Sequence, residues 1–431
     1  MILALLFFGA PYYTGKVAET ETLKLVDKIN QSQSQYGVTE VLSYQRGVRS
    51  TTARYKYTPP GSLAKLSKDF GEIVYVCESD HGVLSIDYRC ELEGESVYSK
   101  FVSEKLGGND PLSVFGSISA FGGITQSISL DKIDDLEIDG VVLNFPQALL
   151  TVETDANAST FQISGGSDEF QIHGDGETLS MGKTAIDADF SRLADLLFTG
   201  DIQIEIEDFE AIGKQGQTSF KNLLIASNAA ELGETLSSNL AFSIKQLIVP
   251  NMPLESVEDL KFSVDLKGLN KQALIEYQQV INQMQRDATR SLDDRQFEQA
   301  QMAKLIPVVE NMLGKGLEVN MQTQTKLNAK KNSIAVNLKL LESLSFAQMP
   351  LFLTNPDQAL KKLDLSLEAS VDKTLVDSQP LGAGFIANSP LIDAKQNDYS
   401  LNLKLGEKIE LNGVTMSFAE LQGLVLSSMP L

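Results

Sequence analysis

The sequence predicts a mainly β chain: a β-rich α+β fold with an elongated, curved antiparallel sheet, one long amphipathic helix and an N-terminal membrane-anchor helix. Three observations predict it. Apolar and polar residues alternate with period two in segment after segment beyond residue 36. A helical region runs from about residue 270 to residue 313, with one apolar stripe at helical spacing over Leu274 to Leu292. The uncharged start MILALLFFGAPYY, Met1 to Tyr13, has no equal elsewhere in the 431 residues.

That start is too short to cross ~30 Å of hydrocarbon as a helix, which needs roughly twenty residues. It matches the hydrophobic region of a signal peptide or anchor, although no basic residue precedes it and no small-x-small cleavage site follows. The reading is an uncleaved anchor whose first residues are missing from this start. A buried N-terminal element of a soluble domain is the alternative. The text then reads as helix through about Ser34.

Three regions follow from composition: an anchor and helix over 1–34, a basic β subdomain over 35–106, and an acidic antiparallel-sheet body over 107–431. The boundary falls at Gly107 to Pro111. Net charge is −21, with nineteen acidic and three basic residues in 131–210 but nine basic and five acidic in 1–70. An acidic body argues against a nucleic-acid partner, because phosphate binding needs basic stripes. The basic N-terminal part suits either nearby anionic lipid headgroups or a merely solvated surface.

Strict alternation occurs in Asp201 to Glu207 and Leu260 to Leu266, and again in Ile334 to Leu340, Leu363 to Glu368 and Leu401 to Leu405. Every second side chain then shares a face, giving one apolar and one wet side, as in antiparallel sheets. Turns are expected at Gly107-Gly108-Asn109, Gly165-Gly166-Ser167, Gly174-Asp175-Gly176 and Asn412-Gly413. In the long helix, Leu274, Tyr277, Ile281, Met284, Ala288 and Leu292 form the stripe, opposite Gln278, Gln279, Gln283 and Gln285. Pro307 should end or kink its second part, and Gly314 and Gly316 should stop it. A short closing helix with a Ser cap is expected over Ser417 to Leu426. A strand, a Met-Pro-Leu corner and another strand occur twice, around Met252-Pro253-Leu254 and Met349-Pro350-Leu351; this is either a faint repeat or chance.

Chemistry is hard to find. There is no P-loop, no strand-borne G-x-G-x-x-G and no G-x-S-x-G elbow; Gly382-Ala383-Gly384 lacks the rest of the fingerprint. Of the two histidines, His81 sits in Asp80-His81-Gly82, read as a tight turn with a positive φ at the glycine, and His173 stands beside another turn. Both read as structural. Asp175-Gly176-Glu177 and Asp187-Ala188-Asp189 fail the spacing of a calcium loop. No catalytic, cofactor-binding or metal-binding residue is expected, and no cofactor. Cys77 and Cys90, the only cysteines, exclude a standard zinc site and leave two readings open: a hairpin-spanning disulfide or two buried thiols.

Several segments in order resemble the YdgA-like family of uncharacterised Gram-negative envelope proteins. They are Tyr12-Tyr13-Thr14-Gly15-Lys16, Tyr44-Gln45-Arg46-Gly47-Val48-Arg49-Ser50 and Glu78-Ser79-Asp80-His81-Gly82. Leu305-Ile306-Pro307 with Met312-Leu313-Gly314-Lys315-Gly316 follows, then Leu411-Asn412-Gly413 with Met416-Ser417. The resemblance implies an inner-membrane anchor and a β-rich periplasmic body, with no activity attached. It singles out Tyr13, Gly15, Lys16, Tyr44, Arg46, Gly47, Asp80, His81 and Gly82 as motif positions. The chain departs from the pattern in lacking a basic start, in carrying Val83 where proline is common, and in its two cysteines.

The functional expectation is a non-enzymatic, inner-membrane-anchored periplasmic protein that holds lipid or another apolar ligand against its sheet. The alternative is a structural or interaction module of an envelope protein complex. An apolar sheet face must be covered by a helix, a partner or lipid, and one helix covers only part of it. The expected partners are therefore the inner membrane and lipid or an envelope protein, with oligomeric state left open.

Overall fold

The computed structural model describes residues 10–33, 37–58, 73–94, 97–194, 197–214, 216–250, 256–288, 294–312, 314–327, 329–346, 354–377, 386, 389–395 and 397–428. Strands make up 59% of it, so the chain is mainly β. It divides into two compact units, Met1–Ile204 and Glu205–Leu431. The Gly107–Pro111 segment lies inside the first of these.

In the first unit, helix α1 (Ala10–Gln33) leads into β1 (Val38–Arg46), β2 (Ser50–Thr58), β3 (Ile73–His81) and β4 (Ser85–Glu93). Helix α2 (Val97–Lys105) connects to β5 (Leu112–Ser119) and β6 (Ile124–Leu130). Each of these six strands pairs antiparallel with the next. Then follow β7 (Ile133–Ile138), β8 (Val141–Phe145), β9 (Ala148–Thr154), β10 (Thr160–Ser167), β11 (Phe170–Gly174), β12 (Glu177–Met181) and β13 (Thr184–Ala194). The ladder continues from β6 through β9 and β10 to β13, while β7, β8, β11 and β12 form a side branch.

Turn chemistry explains most of these hairpins. Asp175 (φ 48°) and Gly176 (φ 79°) form the two-residue turn between β11 and β12, the left-handed pair a tight hairpin requires. Two expectations fail. Gly165-Gly166-Ser167 is not a turn but the end of β10, paired on both sides. A side chain at Gly165 would stand 2.9 Å from the Leu150 backbone, so glycine there serves strand proximity. Asp80-His81-Gly82 ends β3, and the turn falls one step later at Val83-Leu84, closed by Gly82 N donating to Ser85 O at 2.7 Å. Gly82 has no positive φ.

In the second unit, β14 (Leu197–Gly213), which begins in the first, is followed by β15 (Gly216–Leu232), β16 (Thr235–Ile248) and β17 (Val257–Asn270). Helices α3 (Lys271–Ala288) and α4 (Asp294–Met312) precede β18 (Glu318–Leu327) and β19 (Lys330–Leu340). Next come α5 (Pro356–Leu360), β20 (Leu363–Asp372) and α6 (Lys373–Asp377), then β21 (Asp393–Ala394), β22 (Asp398–Leu405), β23 (Ile409–Leu411), β24 (Val414–Met416) and α7 (Phe418–Ser428). Strands β15 to β20 pair successively, and β22, β23 and β24 extend the ladder from β20. The alternating segments all lie on these strands and on β14. A core of Leu360, Ile409, Leu411 and Leu421 closes under α7. Ser417 caps that helix in a reciprocal box with Glu420, as the sequence suggested.

The expected single long helix is two helices, α3 and α4, and residues 289–293 lie outside the described ones. Asn270 Oδ1 accepts from Ala273 N at 2.9 Å and caps α3. Pro307 does not end α4, which runs on to Met312; a proline removes one hydrogen bond and strains one turn, and flanking turns hold the helix. Leu274, Tyr277, Ile281 and Met284 are half-buried, whereas Gln279 and Gln283 are exposed. Gln278 is half-buried rather than exposed, and the side chains of Gln285, Ala288 and Leu292 lie outside the described residues. So do both Met-Pro-Leu corners and Gly382 to Gly384. Residues 1–9 of the expected anchor do too, and no described helix is long and apolar enough to cross a membrane. Helix α1 itself carries Lys16, Glu19, Glu21, Lys24 and Asp27.

Candidate functional site

Helix α1 lies over β1 to β6 because it has one small and apolar face. Thr14, Ala18, Thr22, Leu25 and Val26 recur at three- and four-residue steps and so share a side. Ala18, 2% exposed, packs with Ile86 and Ile118. Two polar contacts pin the helix near its ends. At the start, Thr14 Oγ1 lies 2.9 Å from Gly82 O and 3.0 Å from Pro11 O. Near the other end, Asn30 Nδ2 donates to Thr39 O at 2.7 Å and its Oδ1 accepts from Thr39 N at 2.9 Å, joining α1 to β1 as an added ladder rung.

Between these pins the helix and sheet line a half-open cavity of about 430 Å³. Its helical wall is Ala18, Thr22, Leu25 and Val26. Its sheet wall includes Tyr44, Tyr55, Tyr57, Tyr75 and Tyr88, with Val114, Ile118, Ile124 and Ile128 and the pair Cys77 and Cys90. Strand parity produces this wall: Ala53, Tyr55 and Tyr57 alternate with Arg54 and Lys56, and Ile86, Tyr88 and Cys90 with Asp87 and Arg89. Thr39 and Tyr44 both line the cavity although an unbroken strand would put them on opposite faces. A register shift between Val41 and Ser43 reverses the parity there. Gly116 has an equally specific reason, since a methyl on it would stand 2.6 Å from Tyr88 Oη. The bare backbone lets that ring lie across β5.

Burial sets the electrostatics of this wall. Loss of water raises the Tyr88 phenol to about 12 and pushes up Tyr55 and Tyr75 as well. It also raises Tyr44, against the opposing pull of its hydrogen bond with Thr51. These phenols stay neutral, so the cavity presents no fixed charge. It is an apolar chamber with hydroxyl groups on its wall.

The motif positions gather at one end of the cavity. His81 is 5% exposed, its Nδ1 lies 3.2 Å from Val48 O and its Nε2 2.8 Å from Thr51 Oγ1. A carbonyl only accepts, so Nδ1 carries the proton, and in the neutral ring Nε2 accepts from Thr51. Gly15 lies against the ring. Arg46 sits 4.6 Å from the Tyr12 ring centroid and donates from Nε to Glu19 Oε2 at 2.8 Å, tying β1 to α1. Gly47 N donates to Ser50 O at 2.8 Å and closes the β1–β2 turn. Tyr13, Lys16 and Asp80 point to solvent and do not join the cluster. His173 is exposed beside Thr178 and Gln171. Cys77 and Cys90 are directly opposed on β3 and β4 and joined as a disulfide. Asp187 and Asp189 stand exposed on β13, and among the described residues no three His, Cys, Asp or Glu converge as a metal site.

A model of a bacterial protein family of unknown function, DUF945, matches residues 1–380. The chain belongs to the DUF945 family. No curated protein and no solved structure matches it. The match spans every motif segment up to Gly316, while Leu411 to Ser417 lies beyond it. What the sequence reading of this DUF945 member missed are Tyr55, Tyr57, Tyr75 and Tyr88. The signal was present in the spacings Tyr55-x-Tyr57, Tyr75-x-Cys77 and Tyr88-x-Cys90, each of which places two bulky groups on one strand face.

Proposed function

We propose that this DUF945 chain is a non-enzymatic, membrane-anchored periplasmic protein whose first unit holds an acyl chain of a lipid beneath α1. The observation that carries this reading is the cavity of about 430 Å³, walled by aliphatic and neutral tyrosine side chains. That volume falls within the ~300–1,000 Å³ of small-ligand sites, which are mostly apolar with a few placed polar groups. A catalytic site would need converging titratable groups, and the wall supplies phenols held neutral by burial. The pinned ends of α1 leave its middle, Ala18 to Val26, as the cover of the chamber. The disulfide and the uncharged start at Met1 favour the periplasmic side.

The test is to purify the chain lacking residues 1–9, which keeps α1, and analyse it by native mass spectrometry. A bound acyl-chain lipid, displaced in Val114→Phe where the added ring enters the chamber, is expected. Protein that is empty and takes up no fluorescent fatty acid overturns the reading. Topology is checked separately by a C-terminal alkaline phosphatase fusion, active only if the body is exported.

A further inference from the structure

The strands β1 to β6 place three hairpin turns on one edge of the first unit. The turn after β1 carries Val48 and Arg49, the turn after β3 carries Val83 and Leu84, and the turn after β5 carries Phe121. Backbone bonds link them: His81 N donates to Arg49 O at 2.8 Å, and Ala120 N to Leu84 O at 2.7 Å. The start of α1 joins the same edge through Thr14 and Gly82. Hairpin tips normally carry Gly, Asn, Asp or Ser. Here Phe121 is 86% exposed, Leu84 63% and Tyr13 62%, with Val83, Tyr12 and Val48 each close to half exposed. Six large apolar side chains from four separate segments therefore meet water at one edge.

We propose that this edge is a membrane-contact surface, with Phe121, Leu84, Val83 and Val48 entering the headgroup region of a lipid bilayer and Tyr12 and Tyr13 at its boundary. Exposed apolar patches of this kind mark interaction surfaces. Two features select a bilayer as the occupant. The chain enters α1 at Ala10, on this edge, directly after the uncharged sequence MILALLFFG. Tyrosines favour the membrane–water interface, where the ring is sheltered and the hydroxyl stays wet. Arg49 is exposed at a tip and Lys16 on α1, with exposed Asp80 at the end of β3 beside them, so the fixed charge at this edge is mixed. The proposal rests on the membrane-anchored reading and deepens it: the edge would set the body against the bilayer with the start of α1 and the cavity beside it.

The chain has no tryptophan, so a single introduced one reports its own surroundings. Full-length Phe121→Trp and Leu84→Trp are reconstituted in vesicles of phosphatidylethanolamine and phosphatidylglycerol with brominated acyl chains. Lys105→Trp, exposed on α2 at the opposite ends of β4 and β5, is the control. Emission of both tip variants should be blue-shifted and quenched several-fold more than that of the control. Water-like, unquenched emission at both tips overturns the proposal, as does a blue shift without quenching, which signals a protein partner or self-association. Failure of the chain to bind vesicles overturns it equally. Native mass spectrometry reads the cavity independently, so either reading can fall while the other stands.

Discussion

A methyl group built on Gly15 would stand 2.5 Å from His81 Nδ1, so the first turns of α1 fit onto the end of β3 only because residue 15 has no side chain. The ring cannot swing aside, since it is held between Thr51 Oγ1 and Val48 O. Gly15→Ala would normally favour a helix, by about 1 kcal/mol. Here the overlap should outweigh that gain, as overpacking typically costs 1–3 kcal/mol. The expected outcome is a lower melting temperature with faster hydrogen exchange at the start of α1. A more stable variant would show that α1 does not dock on His81.

Thr51 is 4% exposed and bridges His81 and Tyr44 on the cavity wall. Thr51→Val keeps the shape and removes the hydroxyl, leaving His81 Nε2 buried without a donor. Such an unsatisfied group costs about 1–3 kcal/mol. Thr51→Ser, which keeps the hydroxyl, should recover most of the loss. Equal melting temperatures for wild type and Thr51→Val would remove the bridge from the account.

The tyrosine wall makes a prediction at high pH. Burial favours the neutral phenol, so Tyr44, Tyr55, Tyr75 and Tyr88 titrate later folded than unfolded. Below the ordinary phenol value of 10.0 both states hold the proton and the stabilisation is complete. Above it the unfolded chain releases protons first, and stability falls as pH rises through the folded value, about 12 for Tyr88. Absorbance at the phenolate band should show a late, cooperative step that coincides with loss of structure between those values. Smooth early ionisation of every tyrosine would mean that the wall is wet.

The disulfide closes the β3–β4 hairpin across the cavity wall. A loop of that size is worth roughly 3 kcal/mol by chain entropy, which for a unit of this length is on the order of 5–10 °C in melting temperature. Reductant should lower the transition of the first unit by that order and leave a second transition unchanged. No response, with the thiols shown to be reduced, would mean that the hairpin is fixed by its ladder alone.

Much of this architecture was legible in sequence because period two is a local property. Leu260 to Leu266 and Leu401 to Leu405 needed no knowledge of their neighbours to be read as strands. Gly165-Gly166 was misread because a turn glycine and a strand glycine look alike until the facing backbone is known. The motif residues Gly15, Arg46 and His81 were found, but their purpose was not. It depends on α1 reaching across to β3, a contact between residues more than sixty apart. The tyrosine wall was hidden for a similar reason: its members are spread over β1 to β4 and share a face only once register and the β1 bulge are set.

Helix α3 supplies the last test. Its stripe residues Leu274, Ile281 and Met284 are half-buried, and the helix packs on α4 and meets β17. Full burial of such a side chain would make truncation to alanine cost 2–5 kcal/mol. Half burial halves the contact, so Ile281→Ala should cost about 1–2 kcal/mol, while exposed Gln283→Ala should be nearly silent. Denaturant titration of both variants reads this directly. If Ile281→Ala is also silent, α3 and α4 contribute nothing to the stability of the second unit and their apolar stripe is available to a partner. That result would favour the alternative expected from sequence, an interaction module, because a stripe that does not stabilise its own fold still has to be covered.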